Sequence, residues 1–127
     1  MVSKQAIKSG YSLPSVSISD KSLLPTYSGI YFVVSEVEVI YIGKTKNLKT
    51  RWEDHHIRPK LKKYFEVRVA WLPIEEDDLD LVEKILIGLY WPELNKNIDV
   101  HLPKDEDFNK VCQLIGRAII FTLFSTH

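Results

Sequence analysis

The chain has 127 residues, 45% of them apolar and 27% charged, with a formal net charge of zero. This length suits one domain with an ordinary core, and the composition is that of a soluble globular protein. Zero net charge argues against indiscriminate DNA binding; the single cysteine, Cys112, excludes an internal disulfide framework and a cysteine-based zinc site, and suits a reducing, cytoplasmic setting.

Residues 1–25 are Ser-rich and polar, with Pro14 and Pro25. They hold no apolar h-region of a secretory signal. Leu13, Val16, Ile18, Leu23 and Leu24 can pin this lead-in to the domain, with a helical turn near Asp20–Leu24. Two runs rich in Val, Ile and Tyr follow, Gly29–Ser35 and Glu38–Gly43, and each reads as a strand. Nothing in Ser35-Glu36-Val37-Glu38 fixes the turn between them. An odd-length connection sets Tyr31 opposite Tyr41 on one face; an even one puts them on opposite faces. If both tyrosines serve one site, the register must be the odd one.

Leu48 to Ile57 carries helix formers, with Asn47 as N-cap. Arg51 and His55 then share a helical face. Pro59 ends or follows this helix. Tyr64 to Leu72 alternates and reads as a third strand, with Phe65, Val67, Val69 and Trp71 on one side, closed by Pro73. Glu76 to about Tyr90 reads as a second helix, with Leu79, Val82, Leu86 and Leu89 at helical spacing. Glu83 falls on its apolar arc, where a carboxylate is costly unless a cation or an arginine meets it. Trp91 to Pro103 reads as loop. A last helix, 104–124, is capped by Asp105 or Asp107. No run approaches the roughly 20 apolar residues of a membrane span.

The charge is unevenly spread. Eight Lys or Arg lie between Lys44 and Lys63, against Glu53 and Asp54, while six carboxylates and no base lie between Glu75 and Glu83. A basic segment of this kind can face phosphates while the acidic one faces elsewhere or holds a cation.

Gly29-Ile30-Tyr31 and Tyr41-Ile42-Gly43 resemble the two tripeptides that name the GIY-YIG nuclease family. Arg51 follows Tyr41 by ten residues, His55 follows Arg51 by four, Glu83 lies in the later helix and Asn95 follows Pro92 and Leu94, all in the family's order. The similarity spans about residues 25–97. It implies an α/β fold, a small three-stranded antiparallel sheet flanked by helices, in one domain over 1–127. It also implies a metal-dependent endonuclease acting on DNA, structured or branched substrates included, in repair or recombination.

The resemblance assigns roles. Tyr31 would be the base, working through Lys44, whose charge favours a phenolate. Tyr41 would position water or phosphate, and the Arg51 fork would meet phosphate oxygens. His55 would relay a proton or bind the scissile phosphate. Glu83 would hold one Mg²⁺ or Mn²⁺, and Asn95 would fix the geometry by hydrogen bonds. Little sequence lies outside the match, so targeting would fall to a protein partner or to structure-selective binding. Two further readings compete: a catalytically silent nucleic-acid-binding domain, and an interaction module that forms a homodimer through its C-terminal helix.

Overall fold

The computed structural model describes residues 13–52, 57–96 and 104–125. Its centre is a four-stranded antiparallel sheet, β1 (Ser15–Ser17), β2 (Gly29–Ser35), β3 (Glu38–Thr45) and β4 (Val67–Pro73), in the order β1-β4-β2-β3. The expected three strands are present; β1 is the addition. It is three residues of Ser-Val-Ser, too short and polar to show an apolar alternation, and it forms by pairing Val16 with Val69 of β4.

Both faces of the sheet are covered. That explains why Ile30 to Val34 is a continuous apolar run and is buried throughout, rather than alternating. One face, with Ile30, Phe32, Ile42 and Leu72, packs on helix α2 (Leu79–Tyr90) and helix α3 (Asp105–Ser125). The other, with Tyr31, Val33, Val69 and Trp71, packs on Leu48, Trp52, Ile57 and Leu61. Among the described residues no helix is long and apolar enough to cross a membrane.

Three elements depart from expectation. The helix predicted over Leu48–Ile57 is a four-residue helix α1, Leu48–Arg51, with Trp52 as its C-cap; a separate 3₁₀ turn, Arg58–Lys63, follows with Pro59 in its first turn. Strand β4 begins at Val67, not Tyr64. Glu66 has φ 51°, which breaks the alternation and leaves Phe65 in solvent instead of beside Val67. The second helix opens with a 3₁₀ turn, Glu76–Asp78, before α2. It stops where Trp91 turns left-handed ahead of Pro92, and Trp91 N–H closes on the Ile87 carbonyl at 2.7 Å.

Candidate active site

The hairpin β2–β3 brings Tyr31 and Tyr41 together by a route the sequence does not announce. Its connection is even: Ser35 pairs with Glu38 across the two residues Glu36 and Val37. Alone, that would separate the tyrosines. A register shift between Val33 and Val34 leaves Ile40 as an extra residue on β3, and this bulge restores the parity. Tyr31 therefore lies opposite Gly43, not Tyr41, and Tyr41 sits diagonally on the same face. Their ring centroids are 6.1 Å apart.

Both glycines answer to contacts. A Cβ at Gly43 would stand 2.3 Å from the Tyr31 hydroxyl, so only glycine lets the ring cross that strand. A Cβ at Gly29 would stand 2.4 Å from the Leu72 carbonyl oxygen. Neither glycine merely marks a strand end.

Arg51 closes the site from α1. Asn47 caps this short helix, its side chain accepting from Thr50 N–H at 3.1 Å, and Pro25 and Tyr27 carbonyls take the next free amides, those of Lys49 and Leu48. The last turn thereby delivers the Arg51 Nε, which donates to the Tyr31 hydroxyl at 3.4 Å. Trp52 packs edge-on against the Tyr31 ring at 5.7 Å. Tyr31 is fully buried, and burial pushes its phenol well above the usual range, against the pull of Arg51. Burial raises Tyr41 as well, but Tyr41 keeps partial access to solvent.

Glu83 comes from α2, which packs on β3. Its side chain is 22% exposed, and Lys44 Nζ lies 3.8 Å away. Burial holds its carboxyl above the usual carboxylate range, Lys44 pulling it down and Asp80 pushing it up. Lys44 also bonds Asp80, one helical turn before Glu83; that bond raises the ammonium and lowers the Asp80 carboxyl. Lys44 is three residues from Tyr41, so the two side chains leave β3 on opposite faces. The expected partnership of Lys44 with Tyr31 is thus replaced: Lys44 serves the carboxylates, and Arg51 is the cation on Tyr31. Glu83 is paired with Lys44 rather than with Arg51.

Asn95 is 1% exposed. Its amide donates to the Ile42 carbonyl at 2.9 Å and accepts from the Ile42 N–H at 2.8 Å. β3 is an edge strand, and this side chain completes its ladder between Tyr41 and Gly43. Asn95 thereby ties down the strand that carries Tyr41 and Gly43. His55 lies outside the described residues. Tyr31, Tyr41, Lys44, Arg51, Glu83 and Asn95 all gather around the outer end of the hairpin. Asp80, as the anchor of Lys44, and Trp52, as the wall behind Tyr31, were missed; the three-residue spacing of Asp80 and Glu83 on one helix was the available signal.

Among the described residues no group of three or more His, Cys, Asp or Glu is placed to hold a metal ion. One carboxylate, Glu83, with part of its side chain open to solvent, fits a hard cation that keeps most of its waters, such as Mg²⁺, and does not fit a closed zinc site.

The molecule is a small α/β domain whose antiparallel sheet and two flanking helices bring two tyrosines, an arginine, a lysine and a glutamate to one hairpin. The GIY-YIG catalytic domain family matches residues 27–96, more than half of the chain, and the chain belongs to that family. The magnesium-bound GIY-YIG N-terminal endonuclease domain of UvrC from Thermotoga maritima is 27% identical, with a TM-score of 0.52 over 61% of this chain and 94% of that one. Two point mutants of the same domain, each bound to its catalytic divalent cation, are 24% identical at a TM-score of 0.52, covering 61% of this chain and 91% and 94% of theirs. No curated protein matches the chain.

Proposed function

We infer that this domain is a divalent-cation-dependent endonuclease that hydrolyses phosphodiester bonds in DNA. The observation that carries the reading is the convergence of Tyr41, Arg51 and Glu83 with Tyr31 and Lys44 around one hairpin. A bound cation would be held by Glu83, and it would supply a lowered pKa for water and charge for the phosphoryl oxygens. The protein's own groups divide the remaining work.

Tyr41 is the hydroxyl that can meet a water, because Tyr31 is sealed under its neighbours. The base role expected of Tyr31 would therefore pass to Tyr41, whose phenol burial raises, so that Arg51 and a bound cation would have to draw it down to the phenolate that takes the water's proton. Tyr31 stays a phenol at neutral pH and holds the Arg51 side chain in place. The Arg51 guanidinium keeps its remaining donors for a phosphate. Lys44, fixed by Asp80, keeps positive charge beside Glu83 and limits the cost of a half-buried carboxylate.

Single-turnover cleavage of an end-labelled DNA duplex tests these roles. Tyr41→Phe and Arg51→Ala should remain folded and each cut about 10²-fold or more slowly, the usual loss for a general base or a transition-state donor. Cleavage by Tyr41→Phe at the wild-type rate would remove Tyr41 from the chemistry.

A further inference from the structure

The face of the sheet that carries Tyr31 has a second feature at its far end. A solvent-open cavity of about 1010 Å³ lies between β1 and the 3₁₀ turn Arg58–Lys63, with Ser17, Arg58, Lys62, Tyr64 and Glu66 in its lining. Lys60, Lys62 and Lys63 are exposed, and none of them ion-pairs with a described residue. Arg58 is oriented by the Trp52 carbonyl, to which its Nη1 donates at 3.4 Å. Tyr64 is anchored through its hydroxyl to Glu93 at 2.6 Å, with the Lys63 ammonium 5.4 Å from its ring centre.

Phe65 stands between two of the lining residues and is 76% exposed. A lone exposed phenylalanine is common on protein surfaces. This one is held there. Its carbonyl accepts from Ser35 Oγ at 2.7 Å, at the end of β2, and the next residue, Glu66, keeps φ at 51°. A glutamate in that region costs on the order of 1 kcal/mol, and such strain persists only where the surroundings impose it. The result is an exposed aromatic ring on a held backbone, next in sequence to two residues that line a concave surface whose Arg58 and Lys62 ion-pair with no described residue. That combination matches single-stranded nucleic acid, whose bases stack on aromatic rings while cations track the phosphates. A closed duplex has no free base face to offer. From Tyr31 to Ser35 is four residues of strand, roughly 13 Å, on the order of a few nucleotides along a strand.

We propose that Phe65, with Arg58 and Lys62 of the adjoining cavity, binds an unpaired nucleotide flank of the substrate, the ring stacking on one base and the two cations holding phosphates. The proposal rests on the nuclease reading for the identity of its ligand. It makes strands with unpaired ends or branches better ligands than blunt duplex.

Fluorescence anisotropy of the full chain in EDTA, with a labelled oligothymidine and a labelled blunt duplex, tests it apart from cutting. Phe65→Ala should weaken oligothymidine binding about 5- to 100-fold, the range of one base–aromatic stack. Phe65→Tyr should keep it, and duplex binding should change little in either variant. Arg58→Ala with Lys62→Ala should reduce the salt slope of oligothymidine binding by about 0.7 for each phosphate released. Equal loss for duplex and single strand, no loss in Phe65→Ala, or no affinity of wild type for oligothymidine would each overturn the site. Plasmid nicking by wild type, run in parallel, separates the two readings. Nicking without Phe65-dependent binding overturns this site alone; Phe65-dependent binding without nicking overturns the nuclease reading and leaves the site standing.

Discussion

Gly43→Ala is the substitution whose cost follows most directly from contact geometry. The added methyl would stand 2.3 Å from both Cζ and the hydroxyl of Tyr31 and 2.8 Å from its Cε1, where ordinary contact begins near 3.4 Å. Gly43 has no left-handed φ, so the cost is contact alone. The Tyr31 ring has nowhere to go, because Tyr41 and Trp52 pack against it and it is fully buried. Overpacking by one methyl costs about 1–3 kcal/mol. For a chain of this size that is a fall in Tm of roughly 3–15 °C. The Tyr31 hydroxyl would also leave Arg51, so DNA cleavage should fall with stability. Thermal and urea unfolding of four proteins, wild type, Gly43→Ala, Tyr31→Val and the double variant, would measure the coupling. With the ring gone, the alanine should cost nearly nothing, giving a coupling of about 1–3 kcal/mol. Equal cost in both backgrounds would refute the reasoning.

Asn95→Ala should destabilise by about 2–4 kcal/mol, since it strands a buried amide and a buried carbonyl of Ile42; urea unfolding with an unchanged m-value checks it, and the Ile42 amide should exchange faster. In EDTA, Glu83→Gln should raise Tm at neutral pH, because a neutral side chain escapes the burial that raises this carboxyl. Added Mg²⁺ should then stabilise wild type by about 2.7 kcal/mol at a hundred times its Kd, raising its Tm, and leave Glu83→Gln unmoved. Burial, then the Glu93 carboxylate, push the Tyr64 phenol up to about 12 from 10.0. The folded state therefore holds this proton more tightly than the unfolded one. The stability it contributes is complete below pH 10 and is lost as pH rises through 12. Tyr64→Phe should flatten that alkaline loss in a pH series of thermal melts.

Much of this site was legible in the chain. The two apolar runs of β2 and β3, the Asn47 cap and the placement of Glu83 on an apolar helical arc all follow from residue type and spacing, and each is found. What was hidden depended on contacts between distant segments. β1 is Ser-Val-Ser, and only β4 makes it a strand. The parity of the hairpin rests on a bulge at Ile40, where no glycine signals one. The lysine of the site was expected beside Tyr31, yet alternation along β3 sends Lys44 to the other face, toward Asp80 and Glu83. Asn95 lies in a stretch that reads as loop, and nothing in that stretch names its hydrogen-bond partner, Ile42, 53 residues earlier. Phe65 fits an alternating strand on paper; the left-handed Glu66 removes it from that strand.

The most direct test of the central claim is nicking of supercoiled plasmid at low salt with Mg²⁺ or Mn²⁺, comparing wild type, Glu83→Ala and wild type in EDTA. Cutting by wild type that disappears in the other two is the result expected of a cation-dependent nuclease with Glu83 as the cation's protein ligand. Cutting that survives Glu83→Ala would contradict that assignment, and a wild type that binds DNA but never cuts it, branched substrates included, would contradict the activity itself.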